Sequence, residues 1–253
     1  MRVAIITGAG SGIGLATAKQ LHENGVAIVG VGRDPEKLAA LERELSDSER
    51  LVTLSADIAA DDAPQSIVKL ALERFGRIDF LINNAGLGSP KPLHETDDES
   101  LDLFLGVMLR APFRLARDVI PHMQPGSAII NVTSTFAMVG GRRGGAYSAA
   151  KGGLTSLTLH MACEYGAQGI RSNCVAPGVT VTDMVSHRLE DQAFRRMNTD
   201  MTPAPRLGKV EDVASTIAFL CSDGAAHING QTIVVDGGWS TTRYLSPEAI
   251  SAK

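Results

Sequence analysis

Cysteine is scarce: Cys163, Cys174 and Cys221 are the three in 253 residues. They lie far apart, are odd in number and form no C-x-x-C pair. That spacing excludes a disulfide framework and a zinc site, and leaves small buried hydrophobes in a reducing compartment. The six histidines show no metal-ligand spacing either, so no metal is expected. Long apolar runs are missing too. Thr7 and Gly8 end Val3–Ile6 at once. That run is too short for a signal-peptide core or a bilayer span. The cytoplasm is the expected location, with no membrane partner. There is no basic block and the net charge is -4, which argues against nucleic acid as a partner.

What is present is ordinary globular material. Hydrophobic residues make up 44% of the chain, enough to bury a sizeable core. Short apolar runs alternate with helical patterns. Strands are expected at Val3–Thr7, Val26–Gly32, Leu51–Ser55, Ile78–Asn83, Ala128–Thr133, Ile170–Val175 and Thr232–Val235. Helices are expected at Ile13–Asn24, Pro35–Leu45, Ala63–Phe75, Asp97–Ile120, Ala146–Ala167 and Val210–Cys221. Strand–helix–strand repetition with continuous apolar strands predicts an α/β fold. Its form is a doubly wound, Rossmann-like parallel sheet of about seven strands with helices on both faces. Nothing splits the chain, so residues 1–253 read as one domain. The stretch 178–208 has weak periodicity and carries Pro203 and Pro205, which predicts a mobile flap.

Ligands of such sheets bind beyond the carboxyl ends of the strands. The first of these ends reads Thr7-Gly8-Ala9-Gly10-Ser11-Gly12-Ile13-Gly14. The dinucleotide fingerprint G-x-G-x-x-G does not fit it, because its last position falls on Ile13 or Leu15. T-G-x-x-x-G-x-G does fit, with Gly8, Gly12 and Gly14. Such a turn, with Ser11 and Ile13 opening a helix, suits a pyrophosphate. The second strand ends Gly32-Arg33-Asp34. An arginine here would pair with the 2′-phosphate of NADP, whereas a carboxylate would grip the ribose of NAD. Arg33 tips the reading towards NADP, and Asp34 keeps NAD as the alternative.

Tyr147 and Lys151 stand four residues apart on an expected helix, hence on one face. An ammonium beside the phenol is expected to lower the tyrosine pKa and make it a usable acid or base. Ser134 follows the fifth strand, thirteen residues before Tyr147.

These motifs together, with Asn83-Asn84-Ala85-Gly86 and Pro177-Gly178, resemble the short-chain dehydrogenase/reductase family in its compact single-domain branch. The likeness extends to Asp57 and to Asp236-Gly237-Gly238. It implies hydride transfer between NAD(P)(H) and a carbonyl or secondary alcohol of a small molecule. Tyr147 would be the general acid. Lys151 would hold the nicotinamide ribose, and Ser134 would orient the substrate oxygen. Asp57 with Ile58 would approach the adenine. Asn83, Asn84, Ala85 and Gly86 would shape the cofactor site, Pro177-Gly178 would lie near the nicotinamide, and Thr182 would reach its carboxamide. The resemblance also implies a homotetramer or homodimer through the two long helices.

One position departs from the family. Its members usually carry an Asn in the helix after the fourth strand, where it completes a proton relay. This sequence has Met108 in that stretch. The departure motivates an alternative: a catalytically impaired nucleotide-binding regulatory protein on the same fold. Leu87, Phe136, Met138, Val139 and Met184 are the apolar candidates for a substrate pocket, and Arg142 and Arg143 could grip an anion.

Overall fold

The computed structural model describes residues 1–47, 49–88, 91–186 and 188–251, with the side chains of Asp183 and Met184 outside the description. The strands are β1 (Val3–Thr7), β2 (Ala27–Gly32), β3 (Leu51–Ser55), β4 (Phe80–Asn83), β5 (Ala128–Val132), β6 (Arg171–Pro177) and β7 (Thr232–Val235). All pair in parallel in the order β3-β2-β1-β4-β5-β6-β7. The helices are α1 (Gly12–Glu23), α2 (Pro35–Leu45), α3 (Ala63–Phe75), α4 (Asp98–Leu105), α5 (Ala111–Val119), α6 (Gly145–Tyr165), α7 (Asp183–Ser186), α8 (Gln192–Thr199), α9 (Val210–Leu220) and α10 (Pro247–Ser251).

Alternation along the strands builds two cores. Val3 and Ile5 face one core, which α3, α5 and α6 cover with Ile67, Leu115 and Ala150. Ala4 and Ile6 face the other, under Leu21 of α1 and Ile217 of α9. Both faces of β1 are therefore dry, which is why it reads as a continuous apolar run. Ile5 is fully buried, and Ile5→Ala would cost about 2–5 kcal/mol through lost burial and a residual cavity.

The helix boundaries follow local chemistry. Asp34 accepts from the N–H groups of Glu36 and Lys37 at 3.0 and 3.2 Å, and Pro35 starts α2 where a missing N–H costs nothing. Gly76, with φ 72°, ends α3 in the left-handed region. The long helix expected over Asp97–Ile120 is instead α4 and α5 joined by a π-helical turn, Gly106–Arg110. Pro112 has no N–H for the Met108 carbonyl and its ring crowds that oxygen, so the regular α-helical ladder opens just before it. The 178–208 stretch also holds more structure than expected, with α7, α8 and a parallel bridge between Thr180 and Gly208. Asp191 caps α8 by accepting from Ala193 N at 2.9 Å and Phe194 N at 3.4 Å.

Candidate active site

β1 and β4 are neighbours, and the strand order runs outward from them in opposite directions. Their carboxyl ends therefore form the crevice where open sheets take ligands. Gly8 and Gly12 turn the chain there with φ 70° and 54°, which glycine alone adopts freely. Gly14 answers a different need, because a Cβ on it would stand 2.1 Å from the Gly8 carbonyl oxygen. Asn84 donates from its side chain to the Thr7 carbonyl at 2.9 Å, and the Thr7 hydroxyl accepts from Asn84 and Ala85 N–H at 3.0 and 3.1 Å. The turn is thus clamped from β4.

Ser11 precedes α1 in extended conformation, its side chain caps nothing, and no acidic residue lies in the first turn. The first helical bond is Leu15 N to Ser11 O. The N–H groups of Gly12, Ile13 and Gly14 thus offer donors at the positive end of the helix dipole. These residues fit the pyrophosphate of a dinucleotide. Farther along, Arg33 is exposed at the end of β2, with no ion pair among the described residues. The Asp34 carboxylate is already used in capping α2. After β3, Asp57 is exposed and accepts from Ala59 N at 3.0 Å, while Ile58 is buried.

Across the crevice, β5 and α6 present Ser134, Tyr147 and Lys151. Lys151 is fully buried one turn beyond Tyr147, its Nζ 5.9 Å from the phenol ring centroid and donating to the Val132 carbonyl at 2.7 Å. Burial lowers the lysine pKa to about 8. The tyrosine runs against expectation. Its pKa is raised, because burial outweighs the Ser134 side-chain hydrogen bond that favours the phenolate. Tyr147 therefore holds its proton through neutral pH. Ser134 is buried and extended, and its Oγ also accepts from Phe136 N at 3.2 Å.

Behind these residues runs a buried polar ladder that sequence reading did not reveal. Asn83 Nδ2 donates to Asn131 Oδ1 at 2.8 Å, Asn131 Nδ2 to Thr158 Oγ1 at 2.7 Å, and Cys174 Sγ to the same hydroxyl at 3.1 Å. Asn83, expected at the cofactor site, thus has its side chain tying β4 to β5. The amide at Asn131, in a strand otherwise apolar, is the one signal the sequence offered. Met108 is fully buried in the π-helical turn. A Cβ on Gly86 would meet Met108 Sδ at 3.5 Å and Lys151 Nζ at 3.9 Å. The two side chains therefore flank Gly86 together.

From the 178–208 stretch, Thr182 brings its methyl to 3.3 Å from where a Cβ on Gly12 would lie. Pro177 ends β6. Gly178 donates to the Val235 carbonyl at 3.0 Å and leaves no room for a Cβ beside Asp236. A cavity of about 200 Å³ opens against Tyr147, with Leu87, Leu103, Phe104 and Ala146 as apolar walls and Lys91 on its lining. Of the apolar candidates for this pocket, Leu87 lines it. Phe136 packs edge-on against Trp239 instead, with ring centroids 6.1 Å apart, and Met138 is exposed. The side chain of Met184 lies outside the described residues. Arg142 and Arg143 are exposed, and Arg143 has a left-handed φ of 64°. Among the described residues no cluster of His, Cys, Asp or Glu could hold a metal, and no helix is long and apolar enough to cross a membrane.

Comparison with known proteins agrees with this fold. The family model described as enoyl-(acyl carrier protein) reductase matches residues 8–240. A cis-4-hydroxycyclohexanecarboxylate dehydrogenase of Sinomonas cyclohexanicum is 38% identical, over 94% of this chain and 96% of its own. A 3-ketoacyl-(acyl-carrier-protein) reductase of Brucella melitensis, solved with NADH, is 34% identical with a TM-score of 0.86, over 94% of this chain and 98% of its own. A gluconate 5-dehydrogenase of Burkholderia cenocepacia J2315, solved with NADP and tartrate, is 33% identical with a TM-score of 0.88, over 95% and 96%. These relatives are enzymes, and the regulatory alternative finds no support among them. The chain belongs to the short-chain dehydrogenase/reductase family, whose members move a hydride between NAD(P)(H) and a small-molecule carbonyl or secondary alcohol.

Proposed function

We propose that residues 1–253 form one NAD(P)-binding domain that interconverts a small alicyclic ketone and its secondary alcohol, with 178–208 as the substrate flap. The observation that carries this reading is Tyr147 in the cavity wall, with the buried Ser134 acting on its phenol and the buried Lys151 ammonium one turn away. When bound, the nicotinamide supplies or accepts the hydride. Tyr147 gives its proton to the carbonyl oxygen in reduction and takes it back in oxidation. Ser134 orients that oxygen. Lys151 has three ammonium donors and spends one on Val132, so two remain for the ribose hydroxyls. A cavity of about 200 Å³ suits a six-membered ring with a substituent, since about 150 Å³ holds benzene. The Sinomonas relative, named for a hydroxylated ring, supports the same class.

NADP is the favoured cofactor and NAD the alternative. Exposed Arg33 is available to a 2′-phosphate, whereas Asp34 is occupied by α2. Solubility in the cytoplasm and a homotetramer or homodimer complete the reading. Titrating NADPH and NADH into wild type and Arg33→Ala tests the cofactor assignment. Wild type is expected to bind NADPH about tenfold or more tightly than NADH, and the variant to lose that margin, as a charge-assisted contact requires. Tighter binding of NADH by wild type would assign NAD instead.

A further inference from the structure

We infer that Lys91 is an anchor for an anionic group, so that the substrate is a ring ketone or alcohol carrying a carboxylate. The inference rests on the reading of the cavity as the substrate site. Apolar walls hold the ring, and Tyr147 marks the reacting end. Among the described residues Lys91 is the one charged residue on the lining, and no carboxylate shares that lining.

The Lys91 ammonium is held but not consumed. It donates to Asp97 Oδ2 at 3.3 Å and to Ser100 Oγ at 3.1 Å. An ammonium has three donors, so among the described residues one remains for a ligand. Asp97 does not depend on this pair, because its other oxygen accepts from Ser100 N at 2.7 Å and caps α4. It stays in place when Lys91 shares its charge with a ligand, as an exposed ion pair permits. The Lys91 backbone is tied as well. Its carbonyl accepts from Gly144 N at 2.9 Å, and Gly144 is the N-cap of the helix that carries Tyr147. Anchor and acid therefore sit on one connected frame, the arrangement that selects a substrate by the span between its two polar ends. Lys91 acts on binding and touches no reacting atom, so its signature is KM rather than kcat.

The test compares 4-oxocyclohexanecarboxylate with its neutral amide, in wild type, Lys91→Met and Lys91→Arg. Wild type is expected to favour the carboxylate by about tenfold or more in kcat/KM, through KM, the scale of one hydrogen bond to a charged group. The ratio is expected to fall towards one in Lys91→Met and to survive largely in Lys91→Arg. Equal use of acid and amide by wild type, or an unchanged ratio in Lys91→Met, would overturn the anchor. Calorimetric binding of cyclohexanecarboxylate and cyclohexanecarboxamide, to protein saturated with NADP⁺ and separately with NAD⁺, keeps the anchor distinct from the reaction. A Lys91-dependent preference for the acid upholds the anchor even if neither ring ketone turns over, in which case the proposed substrate class fails alone. No preference, including no binding of either ligand, overturns the anchor.

Discussion

The two sides of the crevice are built differently. The β5–α6–β6 side is dry: β5 and β6 are buried throughout and a polar ladder crosses behind Lys151. Among the described residues the 178–208 side consists of two short helices on a single bridge, with Val181, Met197 and Met201 exposed. The first can hold Ser134, Tyr147 and Lys151 within the tolerances that proton and hydride transfer demand. The second has few buried apolar contacts, the character expected of a segment that adjusts to a ligand. Chemistry on the rigid side and accommodation on the loose side are then separable properties. Substitutions on the two sides should part kcat from KM.

The largest effect is expected on the rigid side. Tyr147→Phe removes the proton donor and should lower kcat by roughly two to four orders of magnitude, the scale of general acid catalysis. Cofactor affinity should stay near that of wild type. Steady-state kinetics beside a binding titration check this, and kcat within about threefold of wild type would place the acid elsewhere.

The pH profile comes next. Lys151 is lowered to about 8 by burial, so its charge is present below that pH and lost as pH rises through it. Tyr147 is raised, so its proton persists over the same window. Reduction, which needs the ammonium and the protonated phenol, should be level below about pH 8. Above it, kcat/KM should fall by up to about tenfold per pH unit. Oxidation needs the phenolate and should rise with pH at first. A reduction profile level to pH 10 would show that the Lys151 charge is not used.

On the loose side Thr182→Ala should act more mildly and on a different constant. Its contact with the phosphate turn is a methyl packed near Gly12. KM for the cofactor should rise by about three- to tenfold with kcat nearly kept, the mark of uniform binding. A kcat loss comparable to that of Tyr147→Phe would erase the distinction between the two sides.

The smallest effect is expected at Met108. The relay that the family resemblance implies has no amide here, but Pro112 deprives the Met108 carbonyl of its helical donor. A water in the relay would have to be held by that backbone oxygen rather than by a side-chain amide. Met108→Asn should therefore raise kcat by about two- to threefold and shrink the solvent isotope effect, if proton delivery limits turnover. Unchanged values in a well-folded variant would mean that this position has no relay to restore.

How much of this was legible in the sequence depended on range. Helix α2 was read to the residue because Asp34 and Pro35 mark its start locally. Helix α3 was read equally well. Tyr147 and Lys151 were found because one helical turn separates them, and Gly8, Gly12 and Gly14 because their spacing is a turn's own chemistry. The break between α4 and α5 was missed, since apolar periodicity runs through Pro112 and masks the π-helical turn. The Asn131–Thr158–Cys174 ladder was illegible because its members meet only when β5, α6 and β6 pack. Lys91 was missed for a related reason. It lies in a loop without periodicity, and its place on the cavity depends on the Gly144 contact. The lowered tyrosine pKa was expected from proximity to a charge, and burial, which spacing does not report, reversed it.

Loss of reduced cofactor in the wild-type protein tests the central claim most directly. NADPH and NADH are each mixed with a panel of ring and open-chain ketones that includes 4-oxocyclohexanecarboxylate, and the near-ultraviolet absorbance of the reduced nicotinamide is followed. Cofactor is expected to disappear in step with the alcohol formed, and to persist when Tyr147→Phe replaces wild type. A wild-type protein that binds NADPH or NADH tightly, yet consumes neither with any ketone of the panel, would contradict it.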